Sequence, residues 1–557
     1  MLHAQGTLLT VDVGAREADT TNIDDELSQF VGGRGIATKL GHDRIPFDAD
    51  PFGPENRVYF STGPYQVSQM SFTGRMNMTG LSPLTDGLLS TNAGGYMSRE
   101  FADTGHSVVE ITGASDELVA VHVTDEGVEF EPVPDLEAAK TSEVTKYMAD
   151  EHDLAPENIA CIGPGGENRV RFACVMTYES RAFGRGGLGA VLGAKNVKAV
   201  TFRGDSRREI DLDEEAMSEI HRTAATADDM MKRQGTTANT EFINDNFSLP
   251  TRYFSEMNFE HVEDIGGDAV EEKKYKKGAC SVCAFACKLP TKDEARGLVT
   301  EGPEFETVMS FGSNCGVGDI VDVMQSNELC DEFGLDTISC GDTVAAYLAS
   351  EDEFGNPELV HETVEKIAHR EGVGDLLAEG VARAHEELGV ENWSVKGMEF
   401  AAHDGRVLNG QGLSYAVANR GGDHMYTTTL RLEYDGEIDP EGLDGKPEIV
   451  KRREDMCAFR DSGIVCAFGD RSEYVDEAFH ETLMGCEYED LMAMGARVVE
   501  MERHFNNKRG MDRDDDVLPY DLPDFESALD EYYELRGWND DGTVPDSTVS
   551  EYAEADD

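Results

Sequence analysis

The sequence predicts an α+β protein: a β-rich N-terminal domain over residues 1–205, then two mainly α-helical domains over 206–400 and 401–557. Two observations carry this reading. Before about residue 205, short runs rich in Val, Ile, Phe and Thr alternate with glycine-bearing loops, as strands joined by tight turns do. After it, apolar residues recur at helical spacing. At 557 residues the chain also exceeds what one hydrophobic core supports.

In order, strands are predicted over Gly6–Val13, Ser107–Thr112, Glu117–Val123, Val128–Val133, Asn158–Ile162, Val170–Met176 and Val197–Phe202. Asp125–Gly127 reads as the turn between the third and fourth. Glycine clusters at Gly32–Gly35, Gly94–Gly95, Gly163–Gly166 and Gly184–Gly187 suit tight turns and close approach of backbone to a ligand. Helical periodicity follows over Leu212–Lys232, Val364–Leu388 and Phe479–Phe505. The stretch beginning at the acidic run Asp512–Asp516 reads as a solvated, partly ordered tail.

Charge narrows the function. Lys+Arg is 48 against Asp+Glu 111, a net charge of −63. Such a surface repels phosphate backbones and anionic membranes, which excludes nucleic-acid and lipid-surface partners. Lysine is scarce, 17 against 31 Arg, and the acid excess runs through the whole chain. Self-repulsion on this scale calls for screening, so the composition points to a salt-rich cytoplasm. No stretch of 18 apolar residues suggests a transmembrane helix, and the first residues lack the basic and apolar regions of an export signal. The expected location is cytoplasmic.

The eleven cysteines are uneven in spacing, which favours metal ligation over a disulfide framework. Cys280, Cys283 and Cys287 form C-x2-C-x3-C, and three thiolates from one loop plus a distant fourth is a common cradle for a cubane cluster. Structural zinc more often takes two separated pairs, and three buried thiols on a helix are the bland alternative. Spacing alone leaves the fourth ligand open between Cys315, Cys466 and the other cysteines.

An ordered set of motifs resembles the tungsten-containing aldehyde ferredoxin oxidoreductases over roughly residues 6 to 540. It comprises Gly32–Lys39, Thr73–Pro83, Ile162–Glu167, Gly184–Ala190, the Cys triplet, Gly302–Glu306, Asp331–Asp336 and Arg420–His424. The resemblance implies a tungsten or molybdenum bis-pterin, one [4Fe-4S] cluster and a magnesium ion bridging the pterin phosphates, with the β-rich domain cradling the pterins. Asp331 and Asp336 fit the family's first pterin motif, D-x-x-G-L-D. Asp461 and Cys466 fit the second, D-x-x-G-L-C, with Gly463 one place early and Val465 replacing Leu. The resemblance favours Cys466 as fourth cluster ligand. It places Asn92 as the residue whose carbonyl binds magnesium, and Arg75 between cluster and pterin. Arg185 and Arg34 are further phosphate candidates.

The implied reaction is oxidation of a small aldehyde to the carboxylic acid with water as oxygen source, ferredoxin accepting the electrons. Glu306 matches the active-site glutamate, with Glu304 its neighbour, and His424 the proton-relaying histidine. Other molybdopterin oxidoreductases also use C-x2-C-x3-C, but near the N-terminus. A non-catalytic iron–sulfur carrier would need neither the length nor the glycine loops. Lys273, Lys274, Lys276 and Lys277, the densest basic run, immediately precede the cluster cysteines and suggest a dock for an acidic ferredoxin. Homodimerisation is left open, and no bridging iron is expected.

Overall fold

The computed structural model describes residues 1–178, 180–469 and 474–552; residues 553–557 of the acidic tail lie outside the described residues. The N-terminal part is built on two six-stranded sheets. The first contains β1 (Thr7–Asp12), β2 (Glu17–Asn22), β3 (Val58–Ser61), β4 (Arg75–Leu81), β5 (Leu88–Gly94) and β6 (His106–Thr112), in the order β2-β1-β6-β3-β4-β5. The second contains β7 (Val119–Thr124), β8 (Gly127–Pro132), β9 (Ile159–Cys161), β10 (Val175–Thr177), β11 (Arg181–Phe183) and β12 (Val197–Arg203), in the order β11-β10-β9-β12-β7-β8. Each sheet holds one parallel pair, β1 with β6 and β7 with β12. Alternation along the strands gives each sheet two buried faces. Phe60 of the first meets Phe183 and Phe202 of the second at ring separations of 5.8 and 5.5 Å. The outer face of the first sheet (Leu8, Tyr59, Leu88) packs under helices, and that of the second (Ala120, Ile159, Met176) under the helix Thr141–His152.

Strands β3, β4 and β5 escaped the sequence reading. In β4 and β5 buried polar side chains hide the apolar alternation: Thr79 donates to Asn77 along its own strand and bonds Ser90 on the neighbouring one. The Val170–Met176 run becomes a strand only from Val175; before that, Ala173 bridges to Leu335 and Cys174 donates to Gly334.

Beyond residue 206 the chain is mainly helical. The predicted helix over Val364–Leu388 is three: Pro357–His369, Val373–Leu377 and Val381–Leu388, interrupted at Gly372 and Gly380, which adopt φ of +57° and +85°. Phe479–Phe505 is likewise two, Glu477–Met484 and Tyr488–Lys508, divided at Gly485. The long helices Lys446–Gly463 and Tyr488–Lys508 cross so closely that a Cβ at Gly495 would sit 1.9 Å from the Asp455 carbonyl oxygen. Among the described residues, no helix is long and apolar enough to cross a membrane.

The described part of the C-terminal stretch is not a solvated tail. Asp516 is fully buried, bound by both terminal nitrogens of Arg503 at 2.9 and 2.8 Å and by Lys396 at 2.6 Å. The helix Phe525–Arg536 buries Tyr532 and Tyr533, and Arg536 pairs with Glu454 and Asp455 on the long helix. Acids that look solvated in sequence are here partners of buried arginines.

Candidate active site

Between the first sheet, the 420–426 loop and the end of the Lys446–Gly463 helix lies a cavity of about 220 Å³. Arg75, Asn92, Arg185, His424 and Asp461, all singled out from the sequence, line it together with Arg420, Asp423 and Tyr426. Asp336 is reached through Arg185, whose Nε lies 3.6 Å from its carboxylate. Asp336 also caps the helix Thr337–Glu351 by accepting from the Ser339 amide at 3.1 Å, the ordinary task of an aspartate before a helix. Asp331 is not in the cavity wall. Its carboxyl is buried near Glu301 and Arg181, and that burial, reinforced by the Glu301 charge, pushes it well above the usual carboxylate range.

The catalytic candidates separate. Glu306, on the short helix Phe305–Thr307, lies 3.2 Å from His424 Nε2 and 3.5 Å from His403 Nε2 and accepts from the Ala402 amide at 2.9 Å. Glu304 faces elsewhere: it accepts from Lys288 at 3.1 Å and from Thr236 at 2.6 Å. Burial would raise its carboxyl, but Lys288 and these hydrogen bonds outweigh burial and hold it below the usual range. His403 was missed by the sequence reading. Burial pushes its imidazole well below the usual range, so it stays neutral beside Glu306. Its only sequence signal is position, in an unremarked Ala401-Ala402-His403 run.

The cysteines converge as well. Val282 and Ala286 both take positive φ, so the triplet segment is a turning loop rather than a helix. Ser281 donates to the Gly95 carbonyl at 2.8 Å and the Ala284 amide donates to Ser71 at 3.0 Å. Phe72 ties Cys466 to the triplet loop: its carbonyl accepts from the Cys466 amide at 2.8 Å, and its ring meets Phe285 of the loop at 5.5 Å. Cys283 and Cys287 lie close enough to feel Cys280 and Cys466, while burial pushes both thiols up. Cys315 is remote, fully buried against Ser310 and Gly341 carbonyls. Arg75 spans the two parts of the site, with Nη1 3.9 Å from Cys466 Sγ and Nη2 donating to the Asn92 carbonyl at 3.1 Å.

These features fit an anionic cofactor and a thiolate-bound cluster. Arg185 Nε, Arg420 Nε and His424 Nδ1 are buried at the cavity without a hydrogen-bond partner, donors and a ring nitrogen that a ligand would satisfy. Cys280, Cys283, Cys287 and Cys466 lie near one another, a grouping of thiols that fits a metal cluster. Gly94 leaves room for it: a Cβ there would come 3.1 Å from Cys280 Sγ.

Two of the glycine loops pack directly against protein backbone. A Cβ at Gly33 would fall 2.4 Å from the Asp461 carbonyl oxygen, and one at Gly163 2.4 Å from Phe333. They press the N-terminal part onto the two Asp motifs backbone to backbone. Arg34 is correspondingly committed, paired with Glu502 through Nε at 2.8 Å and Nη2 at 2.7 Å.

The model of the aldehyde ferredoxin oxidoreductase N-terminal domain matches residues 8–204, and that of domains 2 and 3 of the same family matches 211–553. The chain belongs to the aldehyde ferredoxin oxidoreductase family. The tungsten-containing aldehyde ferredoxin oxidoreductase of Thermococcus kodakarensis is 33% identical, with 98% of each chain covered. A more distant relative, the aliphatic sulfonate oxidoreductase WOR-like subunit of Pyrococcus furiosus, is 26% identical over 99% of this chain and 97% of its own. The aldehyde ferredoxin oxidoreductase fold is shared with the active site complex BamBC of benzoyl coenzyme A reductase in complex with 1,5-dienoyl-CoA. That likeness has a TM-score of 0.82 at 22% identity and covers 99% of this chain and 97% of the solved one.

The sequence reading also passed over Asp423 and Tyr426, which shape the cavity of this family member. Burial alone would raise the Asp423 carboxyl, but Arg420, His424 and Arg185 hold it far below the usual range. It accepts from Arg420 at 2.7 Å and from the Met425 and Tyr426 amides at 2.8 and 3.0 Å. Tyr426 lies between two guanidinium groups, Arg34 at 3.6 Å and Arg420 at 4.4 Å from its ring centre.

Proposed function

We propose that the protein oxidises an aldehyde to the carboxylic acid, with water as oxygen source and ferredoxin as electron acceptor. The observation that carries this reading is the Glu306–His424 pair, 3.2 Å apart beside a cavity whose buried donors await an anion and whose far side leads through Arg75 to four thiols. A tungsten bis-pterin, which molybdenum could replace, would supply the two-electron chemistry, and a [4Fe-4S] cluster on Cys280, Cys283, Cys287 and Cys466 would pass electrons on singly. Arg75, Arg185 and Arg420 would hold the pterin phosphates, and the Asn92 carbonyl, which also accepts from Arg75, would be a ligand for their magnesium ion. Asp461 in the cavity wall and Asp336 behind Arg185 would accept from pterin N–H groups, whereas Asp331, outside that wall, would not reach them.

The protein's own part is proton handling. Glu306 takes the proton of the attacking water, its other oxygen fixed by the Ala402 amide. His424 passes that proton on, and neutral His403 keeps Glu306 oriented without competing for it. Glu304, held by Lys288, is a structural neighbour of the cluster rather than a second base.

The sulfonate oxidoreductase relative supports a second reading, in which the same site acts on a non-aldehyde substrate. The test begins with protein purified without oxygen in high salt, its metals measured by mass spectrometry. About four irons and one tungsten or molybdenum per chain are expected. Aldehydes and sulfonates are then compared as reductants of ferredoxin. Zinc in place of iron, or fully iron-loaded protein without the heavier metal, overturns the reading; turnover of sulfonates alone selects the second.

A further inference from the structure

Outside the candidate active site, one cluster has the donor set of a metal centre. His122 of β7, Glu131 of β8 and His152, the last residue of the helix Thr141–His152, converge on the outer face of the second sheet. His122 Nε2 and His152 Nε2 lie 3.1 and 2.9 Å from the same oxygen, Glu131 Oε2. All three ligand atoms lie within 4.8 Å of one another.

We propose that His122, Glu131 and His152 bind one divalent first-row transition-metal ion of the zinc, cobalt and nickel class. Each imidazole nitrogen stands about 3 Å from the shared carboxylate oxygen, the spacing of neighbouring ligands on one ion. With metal–ligand bonds of about 2.1 Å, separations near 3 Å subtend roughly 90°. Two imidazoles and one carboxylate suit such ions and disfavour calcium and magnesium, which take oxygen ligands.

The surroundings orient the ligands as a metal site requires. His122 Nδ1 is bonded to Thr201 Oγ1 at 2.9 Å, which leaves Nε2 to face Glu131. Tyr147 donates to the other carboxylate oxygen at 2.7 Å, so Oε2 is presented alone. The imidazoles are held at a ring separation of 4.6 Å. His122 is nearly buried, while the side chains of Glu131 and His152 are 21% and 30% exposed, so an ion can enter and keep water on its outer side. The ion would fasten the helix to the β7–β8 hairpin without any tie to the cluster or the pterin. Glu306, His403 and His424 offer the same donor types but belong to the candidate active site, so the test must tell the two apart.

Chelator-dialysed holoenzyme is equilibrated with zinc chloride and its bound metals are counted. One saturable zinc per chain beyond the resident metals is expected, lost in His122→Ala and His152→Gln and kept in Glu306→Gln. Thr201→Val should weaken binding roughly 10- to 100-fold. His152→Gln, at the half-exposed helix end, should keep the metal-free unfolding midpoint yet lose the upward shift that zinc produces. Absence of saturable zinc, zinc that survives His152→Gln, or zinc lost only in Glu306→Gln each overturns the site.

Discussion

At the scale of single residues, two glutamates two positions apart illustrate how little identity alone says. Glu306 and Glu304 flank Phe305, and both could serve as a base on paper. The structure gives one to His424 and the other to Lys288. Replacing Glu306 by Gln should lower kcat on the order of 10²- to 10⁴-fold while leaving iron and tungsten content unchanged. Glu304→Gln should leave turnover near that of the parent and instead loosen the Lys288 side of the Cys loop, read as slower or incomplete iron incorporation. Steady-state kinetics and metal counts on both variants check this pair; equal kinetic losses would remove the distinction. His403 had no sequence signal because its role comes from what folds over it: a neutral imidazole beside Glu306 is made by burial, and burial is not written in a tripeptide.

At the scale of elements, the two Asp motifs are held by glycine contacts from the N-terminal part. Gly33 has φ of +42° and no room for a side chain against Asp461 and Ile464. The C-terminal helices are held by buried ion pairs. Burial would raise Asp516, but Arg503 and Lys396 outweigh burial and keep its carboxyl below the usual range. Its folded value being depressed, the stability it contributes is present above the unfolded value near pH 4 and is lost as pH falls through the folded one. Asp516→Asn leaves two buried cations short of a partner and should cost about 3–5 kcal/mol, measured by denaturant unfolding at neutral pH, with a shallower acid limb than the parent. The basic run before the Cys loop is also changed by its fold. Lys273 pairs with Asp293 at 2.8 Å and Lys274 bonds the Lys232 and Arg233 carbonyls, which leaves Lys276 and Lys277 beside exposed Tyr275. Lys276→Gln with Lys277→Gln should slow reduction of ferredoxin and spare reduction of a small dye; equal effects on both acceptors would remove this loop as the dock.

At the scale of the whole molecule, charge dominates. A net charge of −63 on one chain is tolerable only when neighbouring carboxylates are screened. We propose a salt-adapted protein on that basis. The screening length shortens from about 10 Å at 0.1 M salt to about 3 Å at 1 M, so the thermal midpoint should climb steadily with KCl over that range. A midpoint indifferent to salt would mean that the acids are already compensated locally, as Asp516, Glu454 and Glu502 are.

The sequence by itself determined the α+β class, the family, the Cys triplet and the motif residues that meet at the cavity. Those signals are local: alternation, spacing and glycine turns survive without a third dimension. It did not determine that β4 and β5 are strands, because Asn77 meets Asn92 and Thr79 meets Ser90 only across the sheet. Nor did it place Cys466 near the triplet, since Phe72 links the two segments only in the fold, and Cys315, nearer in sequence, is folded into another core. The tertiary structure alone decided which acids are partners and which are surface, because pairing and burial arise where distant segments meet.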